Sequence, residues 1–239
     1  MLNALCTCVY ISTYVCKSVC SVGMTFSSLH YEPYTNSTED IEATERQRQF
    51  KLGIFAHPIY SQEGDYPAVV RERVDNNSKA EGLARSRLPK FTQEEIEYIR
   101  GSADFFGFNT YGSKYVAAGD FPIAPSRRHD SGVIVKDDEI PLDQSAAGFR
   151  KILNWLVAEY PGYPIFVSEN GLGNDGSVGL NDTDRVEYFA MVRHHIMQAT
   201  PDTDFRRDAL GLDDPILDQI IDLAFKYEVS TAADKRLKS

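Results

Sequence analysis

The sequence predicts an α/β protein in which helices cover a parallel sheet. Three short apolar or β-favouring runs, at 22–29, 103–109 and 164–168, are typical of buried strands. A segment with helical periodicity follows each run, so strands and helices alternate along the chain. This alternation is the pattern of a parallel sheet, because a parallel neighbour can be reached only by a crossover connection.

The composition is that of one globular domain with possible extensions. The 239 residues are 42% hydrophobic and 25% charged, and 25 basic against 35 acidic side chains leave a net charge of −10. This charge argues against nucleic acid or an anionic membrane surface as a partner. The sequence also has no apolar stretch long enough to span a membrane, so no membrane association is predicted.

Both ends of the chain differ from its middle. All four cysteines lie within residues 1–20, in a spacing that matches no common zinc pattern, so no metal is predicted there. This segment lacks the basic start and clean apolar run of a signal peptide. Residues 200–239 are interpreted as a divergent tail, in which the stretch 216–225 has the apolar periodicity of a helix.

The first strand, 22–29, leads into a predicted helix that begins after Ser37 and ends near Phe50. Ser37 and Asp40 are three residues apart, which predicts a capping box. Acidic side chains in the first turn suit the positive end of the helix dipole. The following residues, 51–67, are predicted to form a loop because they contain Gly64 and Pro67.

The second strand, 103–109, is preceded by a short predicted helix. Thr92 and Glu95 have the spacing of a capping box, and Gly101 is expected at the C-cap. A long polar loop is predicted after the strand, followed by a third helix over 146–160. The apolar residues of that helix share one face: Phe149, Ile152, Leu153, Leu156 and Val157.

The third strand, 164–168, runs directly into Glu169. Asn170 and Gly171 suit the turn at which a strand ends. A carboxylate at the C-terminal tip of a parallel strand lies where α/β barrels place their chemistry, although an isolated Glu is more often an acidic loop residue. Residues 181–183 then cap a fourth predicted helix.

Residues 167–171, V-S-E-N-G, resemble the [IV]-[TS]-E-N-G signature of family 1 glycoside hydrolases, the β-glucosidase family. The segments 51–67 and 85–116 resemble the same family, especially its insect β-glucosidases and myrosinase-like members. The resemblance covers roughly 21–197. It implies a partial (β/α)8 TIM barrel with about three of the eight strand–helix units, strands five to seven. The implied domains are an unrelated Cys-rich segment 1–20, a partial glycosidase domain 21–199 and a helical tail 200–239.

The resemblance implies a retaining β-glycosidase that hydrolyses O-glycosidic bonds of small β-glycosides without a cofactor. Glu169 falls on the position of the catalytic nucleophile. Tyr111 and Asn109 fall on the family's N-x-Y motif, where the Tyr hydroxyl hydrogen-bonds and orients the nucleophile. Asn109 and Asn170 are expected to bind substrate. From the sequence alone, Tyr111 could equally cap a strand end.

The family's general acid/base is missing from the 239 residues. It belongs to a T-x-N-E-P motif at the end of strand four, and the sequence contains no Asn-Glu-Pro. The Tyr31–Pro33 segment, Y-E-P, aligns instead with the non-catalytic stretch after strand five. The C-terminal tryptophan motif is also missing, since the single Trp155 lies on a predicted helix and is expected to pack. Three interpretations remain: an enzyme represented by an incomplete chain, a non-catalytic glycan-binding relative, or an inactive fragment from a partial gene model.

Other motifs carry less weight. Residues 171–176 fit the dinucleotide pattern G-x-G-x-x-G, but no helix is predicted to begin there to receive a phosphate. His194 and His195 are adjacent and so lie on different helix faces, one expected to be exposed and the other packed.

Three N-x-[ST] sequons begin at Asn36, Asn76 and Asn181. Together with the resemblance to secreted glycosidases, these sequons predict a secretory or extracellular protein. The sequence makes no prediction of oligomeric state.

Overall fold

A computed structural model describes residues 21–122, 124–173 and 182–197 of the chain. The strands in these ranges are β1 (Gly23–Ser27), β2 (His30–Pro33), β3 (Phe105–Thr110), β4 (Ser113–Ala118), β5 (Val133–Val135) and β6 (Ile165–Asn170). The helices are α1 (Thr38–Arg48), α2 (Ile54–Tyr60), α3 (Ala68–Ala80), α4 (Gln93–Ile99), α5 (Arg127–Ser131), α6 (Leu142–Glu159) and α7 (Thr183–Met197). A π-helical segment, Gln49–Gly53, joins α1 to α2.

The main sheet is parallel, as predicted, with the strand order β1-β3-β6. Alternate residues of its strands pack against α2, α6 and α7 in one hydrophobic core, which includes Phe26, Phe106, Phe108 and Ile165. The predicted apolar face of α6 is confirmed: its residues 149, 152, 153 and 156 are buried, and Val157 is partly buried. Burial of this face stabilises the helix–sheet packing.

The opposite face of the main sheet carries Thr25, Ser27, Asn109 and Phe166. Thr25 and Ser27 are exposed, and 47% of the Phe166 surface is accessible. We call this side the open face, because no described helix packs on it. Within the described ranges, β1 and β6 each pair with β3 alone.

A second sheet, with the order β2-β4-β5, continues the chain beyond the ends of β1 and β3. The predicted polar loop after 109 is therefore wrong, because this region contains β4, α5 and β5. Val116 and Val133 are buried in these strands against Tyr31 and the α1 residue Ala43. Tertiary burial thus stabilises strands too short to be recognised by alternation alone.

The predicted loop at 51–67 is also wrong over its first ten residues. The chain stays helical from Thr38 to Tyr60, through the π-helical segment and α2, and only 61–67 are irregular. Leu52, Ala56 and Tyr60 are four residues apart, and all three are buried in the core. The Tyr60 hydroxyl also donates to the Phe105 carbonyl at 2.8 Å, tying the helix to β3. This burial outweighs the unfavourable Pro58 within α2.

The two predicted helix caps had different outcomes. Thr92 and Glu95 form the complete reciprocal capping box expected at α4. Ser37 caps α1 by accepting a hydrogen bond from the Asp40 amide at 3.2 Å, but Asp40 does not return the bond. Its carboxylate instead accepts from the Thr35 amide at 3.0 Å and the Ala118 amide at 2.8 Å, which ties the start of α1 to β4.

Several sequence predictions fall partly or wholly outside the described residues, including those on Asn181. The segment 1–20 and the tail 200–239 lie there, so the proposed domain boundaries stay predictions. Half of the 171–176 motif, residues 174–176, is also outside. Among the described helices, none combines the length and apolarity that a transmembrane span requires.

Candidate active site

The predicted nucleophile and its partner meet at the C-terminal ends of two neighbouring parallel strands. Glu169 lies near the end of β6 and pairs with Asn109 of β3, while Tyr111 directly follows β3. The Tyr111 hydroxyl donates a hydrogen bond to Oε2 of Glu169. The structure therefore brings together the two residues to which the resemblance assigned catalytic roles, 58 positions apart in the chain. The alternative for Tyr111, a cap that ends a strand, leaves this contact unexplained.

A β-bulge determines which way Glu169 faces. Up to the bulge Phe108 pairs with Val167, and beyond it Asn109 pairs with Glu169, so Ser168 is the extra residue. Without the bulge Ser168 would pair with Asn109 and Glu169 with Thr110, whose side chain is buried. Because the side-chain period of a strand is two, the bulge moves Glu169 to the open face. The sequence prediction placed a turn at Asn170, whereas β6 continues through that residue.

The hydrogen bond has an electrostatic consequence for Tyr111. It raises the pKa of the Tyr111 phenol above its ordinary value of 10.0, chiefly because the phenol donates to the Glu169 carboxylate. Partial desolvation and the nearby negative charge act in the same direction. Tyr111 is therefore a neutral donor at physiological pH. Such a donor can hold one carboxylate oxygen in place while the carboxylate stays ionised.

Asn109 lies beside this pair on the open face. Its Oδ1 accepts a hydrogen bond from the bulged Ser168 hydroxyl at 2.5 Å. Asn109 is half-buried, and its amide group is not bonded to Glu169 or Tyr111. A ligand above Glu169 could reach it, so its substrate-binding role stays a prediction.

Asn170 points to the opposite side of the sheet from Glu169. Its Nδ2 donates to the Thr110 carbonyl at 2.8 Å and to the Tyr188 hydroxyl at 3.3 Å. Tyr188 is fully buried in α7. The substrate-binding role predicted for Asn170 stays a prediction, while the observed contacts connect the strand end to a helix.

Sequence reasoning missed Ser168 and Tyr188. The sequence V-S-E-N-G does not indicate a bulge, because each of its residues also suits a regular strand end. Tyr188 lies within the fourth predicted helix, and nothing in the local sequence of that helix indicates a partner 18 residues upstream.

The family model for glycosyl hydrolase family 1 matches residues 3–209 of the chain. The chain belongs to glycosyl hydrolase family 1. It is 36% identical over 187 residues to myrosinase 1 of Brevicoryne brassicae, covering 74% of this chain and 39% of that protein. It is 39% identical over 202 residues to lactase/phlorizin hydrolase of Rattus norvegicus, covering 81% of this chain and 10% of that protein.

Solved structures of the family have the same fold. Aphid myrosinase superposes with a TM-score of 0.63 at 34% identity, covering 76% of this chain and 40% of that one. β-Glucosidase 2 of Trichoderma reesei superposes with a TM-score of 0.61 at 32% identity, covering 77% and 41%. The predicted partial TIM barrel is confirmed, with β1, β3 and β6 as its strands. The chain spans about two fifths or less of the length of these relatives.

Glu32, in the Y-E-P segment, is not suited to act as the family's general acid. His30 Nε2 lies 3.1 Å from its Oε1, and Lys151 also pairs with it. The contact with His30 and, to a lesser extent, that with Lys151 lower the Glu32 pKa to about 2, although burial opposes the shift. A general acid needs a raised pKa, so an ionised Glu32 cannot donate a proton near neutral pH.

Among the described residues, no other groove or side-chain cluster is as strong a candidate for the functional site. A groove of about 550 Å³ lies between the π-helical segment, α5 and β5, and its lining includes neither Glu169 nor Tyr111. In the described ranges, no three His, Cys, Asp or Glu side chains cluster in a way that could hold a metal ion. His194 is exposed and His195 is half-buried on α7, in line with the predicted difference between them.

Proposed function

We propose that this chain carries the nucleophile half of a retaining β-glycosidase site, with Glu169 as nucleophile and Tyr111 as the residue that orients it. The observation that carries the proposal is the Tyr111–Glu169 hydrogen bond on the open face, at the C-terminal ends of two barrel strands. This is the end at which TIM barrels place their active sites. Relatives named myrosinase, β-glucosidase and lactase/phlorizin hydrolase support small β-glycosides as the substrate class.

The chemistry proceeds in two displacements. The Glu169 carboxylate attacks the anomeric carbon, the glycosidic C–O bond breaks, and the leaving oxygen takes the bonding electron pair. Water then attacks the same carbon, the bond to Glu169 breaks, the sugar is released, and the proton lost by the water passes to bulk solvent. Tyr111 holds Oε2 by a hydrogen bond and leaves the other carboxylate oxygen available for attack.

Covalent trapping tests this proposal. The protein is incubated with 2,4-dinitrophenyl 2-deoxy-2-fluoro-β-glucoside, whose leaving group departs without a proton and whose fluorine slows the second displacement. We expect one fluoroglucosyl adduct, located by peptide mass spectrometry on Glu169 and absent from Glu169→Gln. An adduct on another residue, or none in either protein, contradicts the proposal. Saturable glycoside binding without an adduct favours the non-catalytic glycan-binding alternative.

We further propose that the protein enters the secretory pathway and is glycosylated at Asn36. Asn36 is exposed in the loop before α1, as a glycan acceptor must be. Asn76 lies inside α3, where its sequon residue Ser78 is buried, and Asn181 lies outside the described residues. A relative named cytosolic β-glucosidase belongs to the same family, so the compartment needs a direct test. We expect treatment with a glycan-removing amidase to change the gel mobility of the native protein and to leave that of Asn36→Gln unchanged. Native protein without a glycan would contradict the proposal.

A further inference from the structure

The direction of Glu169 depends on a very short stretch of strand pairing. After the bulge, β3 and β6 share only two residue pairs, Asn109 with Glu169 and Thr110 with Asn170. A slip of one residue would place Glu169 opposite Thr110, which is 1% exposed and faces the helices. Two pairs at a strand end provide few backbone hydrogen bonds against such a slip. A side-chain contact between the two strands beyond the bulge would therefore help to hold this register.

Asn170 makes the required contact. Its Nδ2 reaches the Thr110 carbonyl at 2.8 Å, across the strand pair that a slip would break, and the Tyr188 hydroxyl at 3.3 Å. Tyr188 has no exposed surface, and its ring packs edge-on against Phe189 at 5.7 Å between centroids. Close packing holds a buried ring in one rotamer, so its hydroxyl is a fixed point against which the strand end can be held.

We propose that Tyr188 is a positioning residue: through Asn170 it holds the register beyond the bulge and so keeps Glu169 on the open face, in contact with Tyr111. The catalytic consequence rests on the proposed function, whereas the positional claim concerns this chain's own contacts. The hydroxyl, rather than the ring, carries the effect, since a buried phenylalanine would fill the same space but leave the Asn170 amide without this acceptor.

Tyr160 provides a matched control in the same core. It is 2% exposed, and its hydroxyl has no hydrogen-bond partner among the described residues. Tyr160→Phe therefore removes a buried phenol oxygen without touching the contact between Asn170 and α7. Burial raises the pKa of both tyrosines, so both are neutral at neutral pH.

The test follows the Tyr111 phenol by NMR of the full chain labelled with ¹³C-tyrosine, with Tyr111→Phe identifying the signal. The Tyr111 titration reports the Glu169 contact directly. We expect Tyr188→Phe to shift the Tyr111 signal at neutral pH and to lower its titration midpoint toward the ordinary phenol value of 10.0. Tyr160→Phe should leave both unchanged.

A Tyr188→Phe protein with a lower melting temperature but an unchanged Tyr111 titration would overturn the proposal, because the hydroxyl would then serve stability alone. Equal shifts in both variants would overturn it too. If Tyr188→Phe does not fold, the same measurement on Asn170→Ser decides: a lowered Tyr111 midpoint supports the proposal, and an unchanged midpoint contradicts it. No sugar is used, so this result is independent of the trapping experiment.

Discussion

At the scale of single residues, the site shows how one carboxylate is kept available for attack. Glu169 is exposed on the open face, and its described side-chain contact is the neutral phenol of Tyr111. Glu32, in contrast, is held ionised by His30 and Lys151 away from this pair. A retaining mechanism needs two carboxyl groups about 5–5.5 Å apart. On the proposed assignment, the described residues supply the nucleophile and not the acid.

The first prediction concerns the leaving group. General acid help contributes typically 10²–10⁴-fold, so substrates that need a protonated leaving group should not react. We expect no detectable hydrolysis of alkyl glucosides or cellobiose by the 239-residue chain, and at most trace turnover of dinitrophenyl glucosides. That trace should disappear in Glu169→Gln. Robust cellobiose cleavage would mean that another carboxylate has taken the place of the acid.

The second prediction concerns Asp40, which accepts hydrogen bonds from Thr35 and the Ala118 amide. These bonds, led by the Thr35 hydroxyl, lower the Asp40 pKa below 3.8. Its contribution to stability is therefore present above pH 3.8 and is lost as the pH falls through the lowered folded-state pKa. Asp40→Asn should cost about 1–3 kcal/mol at pH 7, because an amide nitrogen would oppose one of the donors.

Denaturant unfolding of wild type and Asp40→Asn at several pH values measures this difference, which should shrink toward acid. Glu39→Gln is the matched control, since Glu39 is an exposed acid in the same first helical turn. A difference that stays constant from neutral to strongly acid pH would show that charge on Asp40 is not the cause.

At the scale of elements, close packing decides where α6 can lie. A Cβ built on Gly148 would be 2.2 Å from the Ser113 hydroxyl and 2.9 Å from the buried His30 ring. This glycine therefore lets α6 approach both β2 and β4. Helix propensity favours alanine at this position, whereas packing favours glycine. The sign of the stability change on substitution therefore shows which effect is larger.

The third prediction is that Gly148→Ala destabilises the fold by about 1–3 kcal/mol, through overpacking. Propensity alone predicts a gain of roughly 0.5–1 kcal/mol for the same change. Thermal or urea unfolding gives the sign. Ala147→Gly, one position along the half-buried side of α6, should lose about 1 kcal/mol from propensity. A stabilised Gly148→Ala protein would refute the packing argument.

At the scale of the whole molecule, the three barrel strands leave hydrogen-bonding edges and one sheet face unpaired within the described ranges. β1 and β6 each have a free edge there, and Phe166 on the open face is 47% exposed. Exposed strand edges promote association with other chains. In a closed barrel the same groups would be paired or enclosed.

The fourth prediction follows from this arrangement. The purified 239-residue chain should self-associate or bind hydrophobic dyes, with Phe166→Ser reducing dye fluorescence. Ala147→Ser, on a helix, is the control and should have little effect. Light scattering and dye titration measure both. A monodisperse, cooperatively melting monomer would instead mean that residues outside the described ranges cover the open face and the two edges.

The sequence by itself determined the parallel α/β fold, the α6 face, the Thr92 cap and the identity of the nucleophile candidate. These depend on local periodicity, on cap spacing and on a motif of five residues, all of which are written along the chain. Tertiary structure decided the rest. Burial of Leu52 and Ala56 kept the segment after Phe50 helical, and burial of Val116 formed the second sheet. The bulge at Ser168 turned Glu169 to the open face, because strand register depends on pairing with β3, a partner about 60 residues away that no local pattern encodes.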